Sequence, residues 1–328
     1  MTGYSRSFWL AAGTAVVLAA EASAVVEIDW VTVGESGNAC DAQIQGCFGS
    51  VADSYRISRF EITNDDYVEF LNAVAAADPG GLYNTLMESD PEGGITRSGA
   101  SGGYAYNVKP GRAARPVVYV SFWDAIRFAN WLHNGQPLSA QGPGTTETGA
   151  YTITGTGISN NTTTRSPGAA VYVPNEDEWY KAAYYDPGLG LYYDFPAGTD
   201  TATACVDSTG GPNEANCEGP SRGLTGVGGY NGSPSPNDTF DQGGNAWEWN
   251  ETIIGGNRRG LRGGGFNTSM SNLQASFGGN FVPVFEDFDI GFRVASPVPA
   301  QAVPSMIPLT MTVLGSLLGL VALLKLRG

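Results

Sequence analysis

The chain has 328 residues, with 32 acidic and 17 basic side chains, a net charge of −15 and 46 glycines. An acidic chain with no basic stripe repels phosphate backbones, so nucleic acid is not an expected partner. The single histidine, His133, excludes a His-rich metal centre and any Ser-His triad that does not use it.

Residues 1–24 read as a secretion signal peptide. Arg6 supplies the positive start, Phe8 to Ala20 the apolar core, and Ala22-Ser23-Ala24 the small-x-small cleavage pattern. An uncleaved anchor is the alternative, and the short core argues against it. The mature body, residues 25–295, is long enough for one large domain or two small ones. It shows no internal repeat and no clear boundary. Abundant glycine and few charges point to turns and short strands. The cysteines are Cys40, Cys47, Cys205 and Cys217. An even number in an exported chain favours disulfides, and proximity pairs Cys40 with Cys47 and Cys205 with Cys217. Neither spacing suits zinc.

Three helices are expected, each opened by a capping-box-like pair. Thr63 to Asp66 precedes Tyr67, Phe70, Leu71 and Val74 at helical spacing. Ser121 to Asp124 opens the second, with Phe122, Ala125, Ile126 and Ala129 on one face; His133 falls at its C-terminal end, an ordinary structural position. Asn175 to Glu178 opens the third, with Trp179, Ala182 and Ala183 facing inward and a stop near Asp186-Pro187-Gly188. Short strands are expected at Tyr55–Ile62, Val117–Val120 and Ala170–Val173. Ser139–Ser166 reads as a solvated loop or hairpin, and Gly-rich loops dominate Pro187–Gly244.

Residues 296–305 form a Pro/Ala linker. Met306 to Leu324 carries no charge, and as a helix it is about 28 Å long at ~1.5 Å per residue, near the ~30 Å hydrocarbon core. Lys325 and Arg327 follow. The positive-inside rule places the tail, residues 325–328, in the cytoplasm and the body outside. Linker, apolar helix and basic end resemble the tripartite PEP-type sorting signals of Gram-negative bacteria that exosortase-like enzymes process. The usual Glu is missing from Val303-Pro304-Ser305-Met306. A permanent anchor remains the alternative.

Six motifs occur in a fixed order: Ile57 to Asn64, Pro116 to Ala125, Val173 to Trp179, Phe240 to Trp249, Leu261 to Phe266, and Gly291 to Val294. Together they resemble the sulfatase-modifying-factor, or formylglycine-generating-enzyme, family across nearly the whole mature body. The resemblance implies an α+β fold: one mixed domain with little regular secondary structure, related to C-type lectins. It also implies an oxidoreductase that converts a sulfatase cysteine to formylglycine with a copper-binding cysteine pair. The matching positions are Thr268 and Leu273, and the motif's Ser is Gly265. Neither side chain replaces a thiolate on Cu(I), so no copper is expected. The family's iron-dependent branch uses several His ligands, which this chain lacks.

The resemblance further implies structural calcium at Asp241, Gly244, Ala246 and Glu248, two carboxylates and two carbonyls for a hard cation. The alternative is that Glu248 only braces the loop. A second family site would fall near Asn216 and Cys217, without an evident acidic partner. Trp247, Trp249, Arg262, Phe266, Asn267 and Arg293 belong to motifs that converge on the family's groove, where aromatic, amide and guanidinium groups suit sugars or peptides. The alternative is that these residues hold the core, which is the ordinary role of a residue such as Trp247 or Arg293.

Three functions follow. The first is a non-catalytic module of the cell envelope that binds a glycan or protein. The second is the family's oxidoreductase. The third is an enzyme using Glu286, Asp287 and Asp289 as acid and base, against which stands a plain solvated acidic loop.

Overall fold

The chain is described by a computed structural model over residues 25–219 and 223–299. The expected signal peptide, C-terminal helix and basic tail lie outside these residues. The three main helices begin at the expected caps. Asn64–Val74, Phe122–His133 and Glu176–Tyr184 each carry a complete capping box, built from Thr63 with Asp66, Ser121 with Asp124, and Asn175 with Glu178. Each cap removes an orphan donor at the helix start, worth about 1 kcal/mol.

The Phe122–His133 helix departs from its expected one-sided stripe. It is buried continuously from Phe122 to Trp131, as a helix in the middle of a core must be. Phe128 and Trp131 meet Phe70 of the first helix at ring separations of 5.3 Å each. His133 ends this helix, and its Nδ1 accepts the Ala170 amide at 2.9 Å.

A three-stranded antiparallel sheet places Trp30–Val33 and Ala295–Pro297 on either side of Tyr55–Ser58. The first and last strands of the body are thus tied together, and the described residues from Val25 to Pro297 belong to one compact unit. A four-stranded sheet runs in the order Gly279–Phe281, Arg258–Arg262, Trp247–Ile254, Ile290–Phe292. Only its last pair is parallel.

Two expected strands do not form. Val117–Val120 is broken by Tyr119, whose φ is 61°, a left-handed conformation that no strand accommodates. Ala170–Val173 contributes one bridge, Tyr172 to Ala295. The expected Ser139–Ser166 loop holds a short helix, Gly155–Asn160, capped by Thr154 and ended by Asn161 at φ 52°. Its glycines hide a start and stop that are both present in sequence. The disulfides are Cys40–Cys47 and Cys205–Cys217, and no described cysteine is free.

Candidate functional site

The Phe240–Trp249 segment owes its shape to its glycines and left-handed residues. Asp241, Gly244 and Asn245 have φ values of 59°, 89° and 60°. A Cβ on Gly244 would lie 2.4 Å from the Asn216 carbonyl oxygen, so only glycine fits. The Gly244 and Asn245 amides donate to the carbonyls of Gly263 and Asn216, both at 2.9 Å. These bonds fold the turn against the Arg-Gly-Gly motif and launch the Trp247–Ile254 strand.

That strand carries Glu248 into a fully buried ion pair with Arg293, both 0% exposed. Arg293 donates Nε to Glu248 Oε2 at 2.5 Å and Nη2 to Oε1 at 2.6 Å. Trp179 Nε1 donates to Oε2 at 2.6 Å. The guanidinium also donates to the Ser58 and Phe240 carbonyls at 3.0 and 2.9 Å. The Glu248–Arg293 pair therefore ties together four chain segments. Beside it, Glu61 is 2% exposed and its Oε2 has no partner. Burial, then the neighbouring Asp241 and Glu248, push its carboxyl well above the usual range.

The four expected calcium positions lie in this turn and at the start of its strand. Calcium takes ~6–8 oxygens, but both oxygens of Glu248 already accept from Arg293 and Trp179. Asp241 accepts the Gly228 amide at 2.5 Å, and burial holds its carboxyl up to about 6. Among the described residues no three His, Cys, Asp or Glu side chains are grouped to hold an ion. At Glu248, one of the four expected calcium positions Asp241, Gly244, Ala246 and Glu248, an internal guanidinium occupies the cation's role.

The thiol positions are filled in two different ways. Thr268 Oγ1 accepts the Gly265 amide and donates to the Gly265 carbonyl, both at 2.9 Å, closing the turn. Leu273 is fully buried against Phe195, Ala215 and Cys217. Neither position offers a soft donor.

The six residues expected at a groove divide sharply. Trp249 and Arg293 are 0% exposed, Arg262 2% and Phe266 8%. Trp249 donates its indole to the Val120 carbonyl at 3.0 Å. Arg262 lies over the Phe48 and Tyr180 rings at 5.0 and 5.1 Å and bonds Glu176 and the Ala275 and Phe277 carbonyls. These four hold the interior. Only the half-buried Trp247 and the exposed Asn267 reach the surface. Trp247 joins an aromatic patch that sequence reasoning missed. Its ring lies 6.0 Å from Phe277, and Phe281 stacks on Phe285 at 4.4 Å. Phe277, Phe281, Val282 and Val284 are exposed. The run of Phe and Val around Pro283 was the available signal.

Glu286 and Asp289 are not a coupled pair. Burial pushes Glu286 up to about 7, with Asp124 as its charged neighbour. Burial pushes Asp289 up to about 6, with Asp287 as its neighbour. Glu286 accepts from Asn84. These acids are more buried than a solvated loop implies, and beyond burial each is raised by a different charged neighbour, Asp124 for Glu286 and Asp287 for Asp289.

Comparison with known proteins gives a consistent fold. The family model for the sulfatase-modifying factor enzyme 1-like domain matches residues 36–298. The crystal structure of CarF is similar at 21% identity, covering 84% of this chain and all of that one, with a TM-score of 0.53. Treponema denticola variable protein 1 is similar at 18% identity, covering 84% of this chain and 98% of that one, with a TM-score of 0.52. Comparison with curated proteins returns no match.

Proposed function

Because the chain belongs to the sulfatase-modifying factor enzyme 1-like family yet lacks the thiols its redox chemistry requires, we propose that it is a non-catalytic binding module of the cell envelope. The observation that carries this reading is the pair Thr268 and Leu273, a turn-closing hydroxyl and a buried core residue. With every described cysteine in a disulfide, no thiolate is left to bind Cu(I) or to attack a substrate thiol. The oxidoreductase reading has the fold alone behind it, and fold does not carry function.

The ligand in this reading is an envelope glycan or protein held on the patch of Trp247, Phe277, Phe281 and Phe285. Exposed apolar patches mark interaction sites. Export supplies the setting: a signal peptide for signal peptidase, a C-terminal helix for an exosortase-type sorting protease, and a body on the periplasmic or cell-surface side. The two disulfides agree with an oxidising compartment. Among the described residues no helix is long and apolar enough to cross a membrane, and Met306–Leu324 lies outside them.

The full-length protein is expected to retain envelope glycans or proteins in an array and pull-down, with Trp247→Ala and Phe281→Ser each weakening retention about tenfold. Retention unchanged by both substitutions contradicts the patch. No retention of any envelope component contradicts the module.

A further inference from the structure

A second concave surface lies on the other side of the four-stranded sheet. Glu248 faces Arg262 directly in register, so the two share a sheet face, while Trp247 points the opposite way. On the Arg262 face is a cleft of about 310 Å³, the lower end of the small-ligand range. Its walls include Phe48, Glu176, Thr252, Ile254, Arg262 and Asn280.

These residues come from four separate chain segments, each fixed in place. The Asp41–Gln43 and Gly46–Phe48 hairpin is closed by Cys40–Cys47. It is pinned to the Glu176–Tyr184 helix where the Gly49 amide donates to Asp177 Oδ1 at 2.8 Å and Tyr180 donates to Asp41 Oδ2 at 2.6 Å. Glu176 is held from three sides: it accepts from Arg262 and from Asn250 Nδ2, the latter at 2.8 Å, and its amide donates to Thr252 Oγ1 at 2.9 Å. Gly278 keeps the opposite wall open, since a Cβ there would press on the Arg262 guanidinium at 3.3 Å. The result is a preorganised cleft, which lowers the cost of binding.

Its chemistry narrows the ligand. Arg262 and Glu176 neutralise each other, so the cleft favours neither an anion nor a cation, and the net charge of −15 further opposes anions. Each Glu176 oxygen keeps acceptor capacity beyond its one bond, and Thr252 and Asn280 add a hydroxyl and an amide. An apolar ligand would desolvate these groups without satisfying them. The ring of Phe48 and the side chain of Ile254 supply apolar walls between the polar groups. We propose that this cleft binds a single neutral sugar unit, its C–H faces on Phe48 and Ile254 and its hydroxyls on Glu176, Thr252 and Asn280.

The cleft opens on the sheet face opposite Trp247 of the aromatic patch. Saturation-transfer NMR on the full-length protein with neutral hexoses, N-acetylhexosamines and hexuronates tests the proposal. A neutral sugar is expected to give signal and a hexuronate none. Ser276→Trp and Gln45→Trp, at exposed rim positions, are expected to weaken binding about tenfold or more with unchanged melting. Trp247→Ala is expected to leave it intact. Absence of binding by every neutral sugar, indifference to both rim substitutions, or preference for a hexuronate overturns the proposal. Loss on Trp247→Ala alone assigns the sugar to the aromatic patch and also overturns it.

Discussion

Glu248→Ala is expected to destabilise the folded protein by about 3–5 kcal/mol, since it leaves a buried guanidinium without its counter-ion. Arg293 is fully buried and has no route to water once Glu248 is gone. Trp179 loses its acceptor in the same step. Replacing both partners, with Glu248→Leu and Arg293→Met, removes the stranded charge and is expected to cost less than Glu248→Ala alone. Denaturant unfolding of the full-length protein measures both. A loss below about 1 kcal/mol for Glu248→Ala contradicts the picture of a desolvated pair. The same geometry makes calcium dispensable, so chelation is expected to leave the melting temperature of the wild type unchanged. A chelator-induced drop, restored by calcium, contradicts the placement of Arg293 as the cation.

Stability is expected to fall as pH rises from about 4 to about 7. Burial holds Asp124 and Asp289 up to about 6 and Glu286 up to about 7. In the unfolded chain such groups titrate near pH ~4. The folded state therefore binds more protons in this window, and its advantage is lost as pH climbs through the folded values. One pH unit is worth about 1.4 kcal/mol, so Asp124 alone contributes about 3 kcal/mol between the ends of the window. Asp124 is 3% exposed and accepts the Ser121 amide at 2.9 Å, which does not offset its loss of water. Melting followed across this range is expected to show a higher midpoint at pH 5 than at pH 8, and Asp124→Asn is expected to flatten the slope. A midpoint that rises from pH 5 to pH 8 contradicts this reading.

What could be read from the sequence was local. Thr63 with Asp66, Ser121 with Asp124, and Asn175 with Glu178 declare helix starts because both members of each cap lie within one turn. Cys40–Cys47 and Cys205–Cys217 are near neighbours in the chain, so proximity sufficed. Motif order carried the family because each motif is short and its spacing tolerates loop variation. What stayed hidden depends on contacts between distant segments. Val117–Val120 has strand-like composition, but the Tyr119 amide donates to the Asp287 carbonyl at 2.9 Å in a left-handed turn. Arg262 reads as a groove residue because a guanidinium in a glycine-rich motif suits a ligand, and the core role expected of Arg293 came without its partners. Their partners, Glu176 and Glu248, lie 86 and 45 residues away. The Phe48 cleft was equally invisible, since it is assembled from segments spread between residues 45 and 280.

We infer that the family fold survives here without the family's redox chemistry. The decisive measurement is to incubate the full-length protein with Cu(I), oxygen and a cysteine-containing sulfatase peptide and to follow the peptide by mass spectrometry. With Thr268 and Leu273 at the thiol positions, the peptide is expected to remain unconverted. Formation of formylglycine by the wild-type protein would contradict the claim.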